Sequence, residues 1–135
     1  MNQEIKSLII ILILFIIIDV PMIMIFNKNM YQKQFLRINN NKTITNPYIA
    51  AAIAYLCLVI GLYYFIIKDN LDKHLAQVAM NGALFGFVVY GIYNATNKAT
   101  IVEFGIKESF VDTMWGTILC GLISVLTIYI NKIII

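Results

Sequence analysis

The sequence predicts an all-α integral membrane bundle of four transmembrane helices. Four stretches of bilayer length, almost without charged residues, are separated by short polar segments. The composition agrees. Of the 135 residues, 61% are hydrophobic and only 13% charged, against roughly 25% charged in a soluble domain. In lipid the backbone must satisfy its own polar groups, which a helix does within one segment and an open sheet does not.

Taken in order, the spans cover about 8–26, 48–67, 76–97 and 109–130 of a single domain, 1–135. The first run is too long for a typical signal-peptide core and no small-residue cleavage site follows it, so it reads as a retained span. Asp19 and Pro21 interrupt it. Residues 27–46 form a polar connection. In it Met30, Tyr31, Phe35, Leu36 and Ile38 alternate with Lys28, Lys33 and Arg37, the pattern of a short amphipathic segment at the interface. The run Asn39 to Asn41 ends that segment. Asn41-Lys42-Thr43 matches a glycosylation acceptor, a frequent chance match in an Asn-rich chain, and the expectation is that it is not used. The second span is uncharged, with Tyr48 at one end and Tyr63 and Tyr64 at the other as interfacial anchors. Charged turns flank the third span, and Asn131-Lys132 closes the fourth.

Orientation follows from the cations. The loops after spans one and three carry Lys28, Lys33, Arg37, Lys42, Lys98 and Lys107. The other side carries Lys6, Lys68, Lys73 and Lys132. The positive-inside rule puts the first set in the cytoplasm and both termini outside. The net charge of +3 is scattered and gives no nucleic-acid footprint. Cys57 and Cys120 both lie in apolar runs and read as buried thiols filling helix contacts. His74 has no ligand-like neighbour, and no metal or cofactor is expected.

The polar residues inside the spans carry the functional argument. A carboxylate such as Asp19 costs about 2.5–3.5 kcal/mol near the middle of a span, so it needs a partner or a wet cavity. Pro21 removes the helical donor to the Ile17 carbonyl and adds a kink. A local site and a protonated Asp used only for packing are both open. In span three, Gly82, Gly86, Tyr90 and Asn94 recur every four residues, with Asn97 one turn on. Gly82 and Gly86 permit close backbone approach. In span four, Asp112, Gly116, Cys120 and Ser124 recur at the same interval and make a second small-residue face. Asp112 in the first turn suits the positive helix end, and capping alone could explain it. Trp115 is placed as an interfacial aromatic. Spans three and four should therefore pack through Gly82, Gly86, Gly116 and Cys120.

The stretch GFVVYGIYNATNKAT at 86–100 gathers Tyr90, Tyr93, Asn94, Thr96 and Asn97 within about two helical turns. Chain connectivity puts these residues, Asp19, Tyr31, Asp112 and Trp115 on one side of the membrane at similar depth. They are the candidate lining of a polar intramembrane pocket. The alternative is a helix contact that ends in an interfacial cap.

At these residues the chain resembles a family of predicted membrane proteins, domain of unknown function 2177. The resemblance covers nearly the whole chain. It rests on IDVPMIMIFNKNMYQKQF at 18–35, YGIYNATNKAT at 90–100 and VDTMWGT at 111–117. It carries over Asp19, Tyr31, Tyr93, Thr96, Asn97, Ala99, Thr100, Asp112, Trp115 and Gly116. Asn94 stands where relatives usually have Asp, and Pro21 and Met22 where they often have an apolar residue and Trp. Loss of the carboxylate at Asn94 weakens a catalytic role more than a hydrogen-bonding one. The resemblance implies four spans and names no activity.

Three functions fit the residues. The first is a protein that binds or handles a small or lipid-like molecule in the pocket. The second is a structural or assembly protein of a cellular or viral membrane, whose polar groups serve packing and contacts with further copies of the chain. The third is a membrane-embedded enzyme, and here no nucleophile–base set, phosphate loop or dinucleotide fingerprint is found. The expected partners are the bilayer and a lipid or small-molecule ligand. A cavity beside Asp19 and Asp112 favours the first reading. Carboxylates satisfied by helix partners without a void favour the second.

Overall fold

The computed structural model describes residues 2–40, 42 and 46–134, which contain helices and no strand. Asn41 and Thr43 of the glycosylation match lie outside the described residues. The helices are α1 (Gln3–Pro21), α2 (Lys28–Ile38), α3 (Tyr48–Leu62), α4 (Leu75–Thr100) and α5 (Ile106–Ile134). α1 and α3 each continue through one π-helical turn, Met22–Phe26 and Tyr63–Ile67. With those turns, four helices are long and apolar enough to cross a membrane: Gln3–Phe26, Tyr48–Ile67, Leu75–Thr100 and Ile106–Ile134.

Three of these helices outrun the apolar stretches that predict them, because each further residue adds a backbone hydrogen bond once a helix exists. α1 begins at Gln3, where the Asn2 side chain accepts from the Glu4 N–H. The early start of α5 matters more. Asp112 lies in its second turn rather than its first, and Glu108 holds the first-turn position. The capping role considered for Asp112 is therefore excluded by helix register.

Pro21 ends the regular part of α1. The Met22 N–H turns to the Asp19 carbonyl, and the wider turn beyond is closed by the Asn27 N–H on the Met22 carbonyl at 3.1 Å. The chain then enters α2 through Asn27. α2 is the expected amphipathic segment, and it ends at Ile38. Asn40, at φ 50°, takes the left-handed conformation that Asn tolerates better than most residues.

α5 is the hub. In its most apolar window 44% of residues are buried inside the protein, against 17–22% for the other spans. α4 packs along it through small residues. A Cβ built on Gly86 would overlap the Gly116 carbonyl oxygen and come within 2.9 Å of the Cys120 Cβ. One built on Gly82 would overlap the Ser124 hydroxyl and meet the Cys120 carbonyl at 2.8 Å. The predicted α4–α5 seam is thus present, and it needs glycine at both positions. Gly116 has a further consequence: the Tyr90 ring occupies the space its missing side chain leaves.

α1 packs on α5 and on α3. α3 reaches α4 mainly through its terminal π-helical turn, so its first half stands apart from α4. Ile11, Phe15, Leu62, Ile67, Leu119 and Ile123 fill the centre with no exposed surface. One aromatic placement in this region differs from expectation. Tyr63 is buried in this core instead of lying at the interface, because it falls one turn after Val59 on the buried face of α3. Its neighbour Tyr64 stays outside and donates to Glu4 Oε1 at 2.6 Å.

Candidate functional site

The site grows from the separation of α3 and α4. Between them lies a cleft of about 590 Å³, closed on one side by α1 and at one end by α2 and the start of α5. Ala51, Ala54 and Cys57 on α3 form one edge and are exposed, so the cleft opens sideways toward lipid. Phe85, Val89, Tyr90 and Tyr93 on α4 form the facing wall. Small residues on α3 make the opening possible, since larger side chains there would fill it. Cys57 is therefore not a buried packing thiol as expected. It faces the cleft, where a weakly polar thiol costs little.

Two carboxylates mark the polar end. Asp19 is buried, with 4% of its surface exposed. Its Oδ2 accepts from the Tyr55 hydroxyl at 2.7 Å and its Oδ1 accepts from the Trp115 Nε1–H at 2.7 Å. Three helices thereby meet at one side chain: α1, α3 and α5. Trp115 sits over two turns inside α5 and packs against the core, so it is a carboxylate partner and not an interfacial anchor.

The second carboxylate, Asp112, accepts from the Tyr31 hydroxyl at 2.5 Å and from Asn94 Nδ2 at 2.8 Å. Asn94 is also buried, and its amide donates to the Tyr90 carbonyl at 2.9 Å and reaches the Thr113 hydroxyl at 3.2 Å. Asn94 thus ties α4 to α5 while Tyr31 ties α2 to α5. Burial and the hydrogen bond to Asp112 push the Tyr31 phenol well above its ordinary pKa, so it serves as a donor. α2 is held further by Gln34, whose Oε1 accepts from the Gly105 N–H at 3.1 Å, and by an Arg37–Glu108 ion pair at 2.8 Å.

Among the described residues, neither Asp19 nor Asp112 has a cationic side chain within 4.0 Å. The nearby cations are segregated. Lys33, Arg37 and Lys107 line a separate groove on the outer flank of α2, while Tyr31, Gln34 and Phe35 of the same helix face the cleft. No three His, Cys, Asp or Glu side chains converge among the described residues.

Asp19, Tyr31, Tyr90, Tyr93, Asn94 and Asp112 all line the cleft. Thr96, Asn97 and Trp115 do not, and Trp115 reaches the site only through its hydrogen bond to Asp19. Thr96 lies two residues from Asn94, which is about 200° around the helix, so it points away from the cleft and is exposed. Asn97 sits a turn nearer the helix end, beside the Tyr93 phenol. The expected common region of Asp19, Asn94, Asn97 and Asp112 therefore loses Asn97. Tyr55, Gln34 and Phe85 escaped the sequence reading. Tyr55 carried a signal, being the one hydroxyl midway along an uncharged span.

These features define a multi-pass helical membrane protein. The family model described as "Predicted membrane protein (DUF2177)" matches residues 4–129, and the chain belongs to that family. No curated protein and no solved structure matches it.

Proposed function

We propose that this membrane protein binds an amphipathic, lipid-like molecule in the cleft between α3 and α4, with the head of the molecule toward Asp19 and Asp112. The observation that carries the reading is a cleft of about 590 Å³, within the roughly 300–1,000 Å³ of ordinary ligand sites. It is apolar along its body and polar only at one end. Its side opening suits a molecule that arrives from the bilayer. Asp19 and Asp112 each lie about 10 Å inside their helices, counted from the helix end at 1.5 Å per residue, so a head group would sit below the membrane surface. By the distribution of cations, that end is cytoplasmic and the termini are outside.

A second reading has its own support. Every carboxylate oxygen at the site already accepts a hydrogen bond from another helix, as a structural or assembly role requires. One substitution separates the two. Ala54→Trp is designed to fill the cleft from an exposed position that takes no part in either hydrogen-bond cluster. Delipidated wild-type protein should gain several degrees of thermal stability when a total lipid extract is returned, because a ligand that binds only the folded state stabilises it. Ala54→Trp should fold with the same helicity and lose most of that gain. An equal gain in both proteins contradicts cleft binding and favours the structural reading.

A further inference from the structure

Resting on that reading, we infer that the molecule the cleft selects carries a positively charged amine or quaternary ammonium head on an apolar tail. The cleft wall holds two carboxylates, and among the described residues no cation faces them. A cation arriving at their free lone pairs completes an ion pair that no side chain among the described residues supplies, in a medium that screens charge poorly. A neutral head gains only hydrogen bonds, and an anionic one is repelled.

The aromatic lining makes the same selection on independent grounds. Tyr31, Tyr55, Tyr90 and Tyr93 come from three different helices and all border the cleft, with Phe35 stacked beside Tyr31 at a ring separation of 6.2 Å. Aromatic faces gathered around a desolvated space attract ammonium groups, quaternary ones included. The donors on the carboxylates also leave the site open to such a guest. Trp115 approaches Asp19 as a donor that cannot accept, and Asn94 approaches Asp112 through its amide N–H. Both carboxylates are thus oriented, and neither is paired with a cationic side chain among the described residues. The basic side chains on the far flank of α2 line a groove of their own and do not reach this space.

Trp115 is the only tryptophan of the chain and is bonded to Asp19, so its emission reports on the site. The full chain in neutral maltoside micelles should be titrated with dodecylamine, dodecyltrimethylammonium, dodecanol and dodecyl phosphate at concentrations too low to alter the micelle. The two cations should change Trp115 emission saturably, with affinities at least about tenfold above dodecanol. Dodecyl phosphate should bind most weakly. In the variant combining Asp19→Asn with Asp112→Asn the cation preference should fall to near unity. If that double variant does not fold, Asp112→Asn alone should lose a substantial part of the preference. Equal binding of dodecanol and the amines, tighter binding of the phosphate, or a preference that survives the charge-removing variant would each overturn the inference while leaving the cleft as a lipid site. If none of the four probes binds saturably, the cleft reading itself fails with it.

Discussion

Gly86→Leu is expected to abolish the native α4–α5 packing. A side chain at this position enters the Gly116 carbonyl, which belongs to the backbone of α5 and cannot rotate away. Overpacking a core typically costs 1–3 kcal/mol when neighbouring side chains can adjust. Here the helices themselves must separate, so a loss of at least about 3 kcal/mol is expected. The separation also strips contacts that apolar attraction does not replace, since lipid tails are as apolar as the helix surface. It withdraws the Asn94 amide from Asp112 as well. Denaturant or thermal unfolding in detergent, followed by circular dichroism, measures this. Wild-type stability in Gly86→Leu would refute the packing account. The exposed control Leu84→Ala, on the opposite side of α4, should unfold like wild type.

The second large effect is expected at Asp19, and it depends on which atoms the substitute keeps. Asp19→Ala leaves the Tyr55 hydroxyl and the Trp115 N–H without an acceptor in the interior. Each orphaned donor costs about 1–3 kcal/mol, so a destabilisation of about 2–6 kcal/mol is expected. Asp19→Asn behaves differently. Its carbonyl oxygen can accept from Trp115, and its amide can donate to the Tyr55 oxygen, because a phenol both donates and accepts. The shape and hydrogen bonds persist and only the charge is lost. Asp19→Asn should therefore stay within about 1 kcal/mol of wild type. Unfolding curves of the two variants, measured side by side, check the pair. Equal destabilisation would mean that the charge itself, and not the pairing of donors, holds α1, α3 and α5 together.

The four spans were legible because each is a long apolar run bounded by polar residues, and in lipid such a run has one stable backbone solution. The α4–α5 seam was legible because glycines four residues apart on one helix face a like stripe on the other. Equal depth brought Asp19, Asn94 and Asp112 to one end of the bundle, since connectivity alone constrains depth. Azimuth was harder to read. Thr96 belongs to the same polar motif as Asn94 but turns away from it, and only the rotation of α4 against α5 decides which member faces inward. The Trp115–Asp19 bond depended on helix register, which the apolar boundary of span four misplaced by part of a turn. The cleft was invisible for a further reason. It is made by the distance between α3 and α4, which meet mainly at the π-helical turn that ends α3. An uncharged, alanine-rich span looks the same whether it faces lipid, protein or a void.

Native mass spectrometry of the protein, extracted gently from its membrane, tests the central claim most directly. Wild-type protein should retain a lipid-like molecule of defined mass in a fixed ratio as activation energy is raised, after loosely attached lipid has gone. Ala54→Trp should lose that species while keeping its fold, and Asp19→Asn should alter which species is retained. Wild-type and Ala54→Trp spectra with the same lipid content, or a wild-type spectrum that declines smoothly to bare protein with no preferred adduct, would contradict a ligand in the cleft and leave the two carboxylates as the polar bolts of a helical bundle.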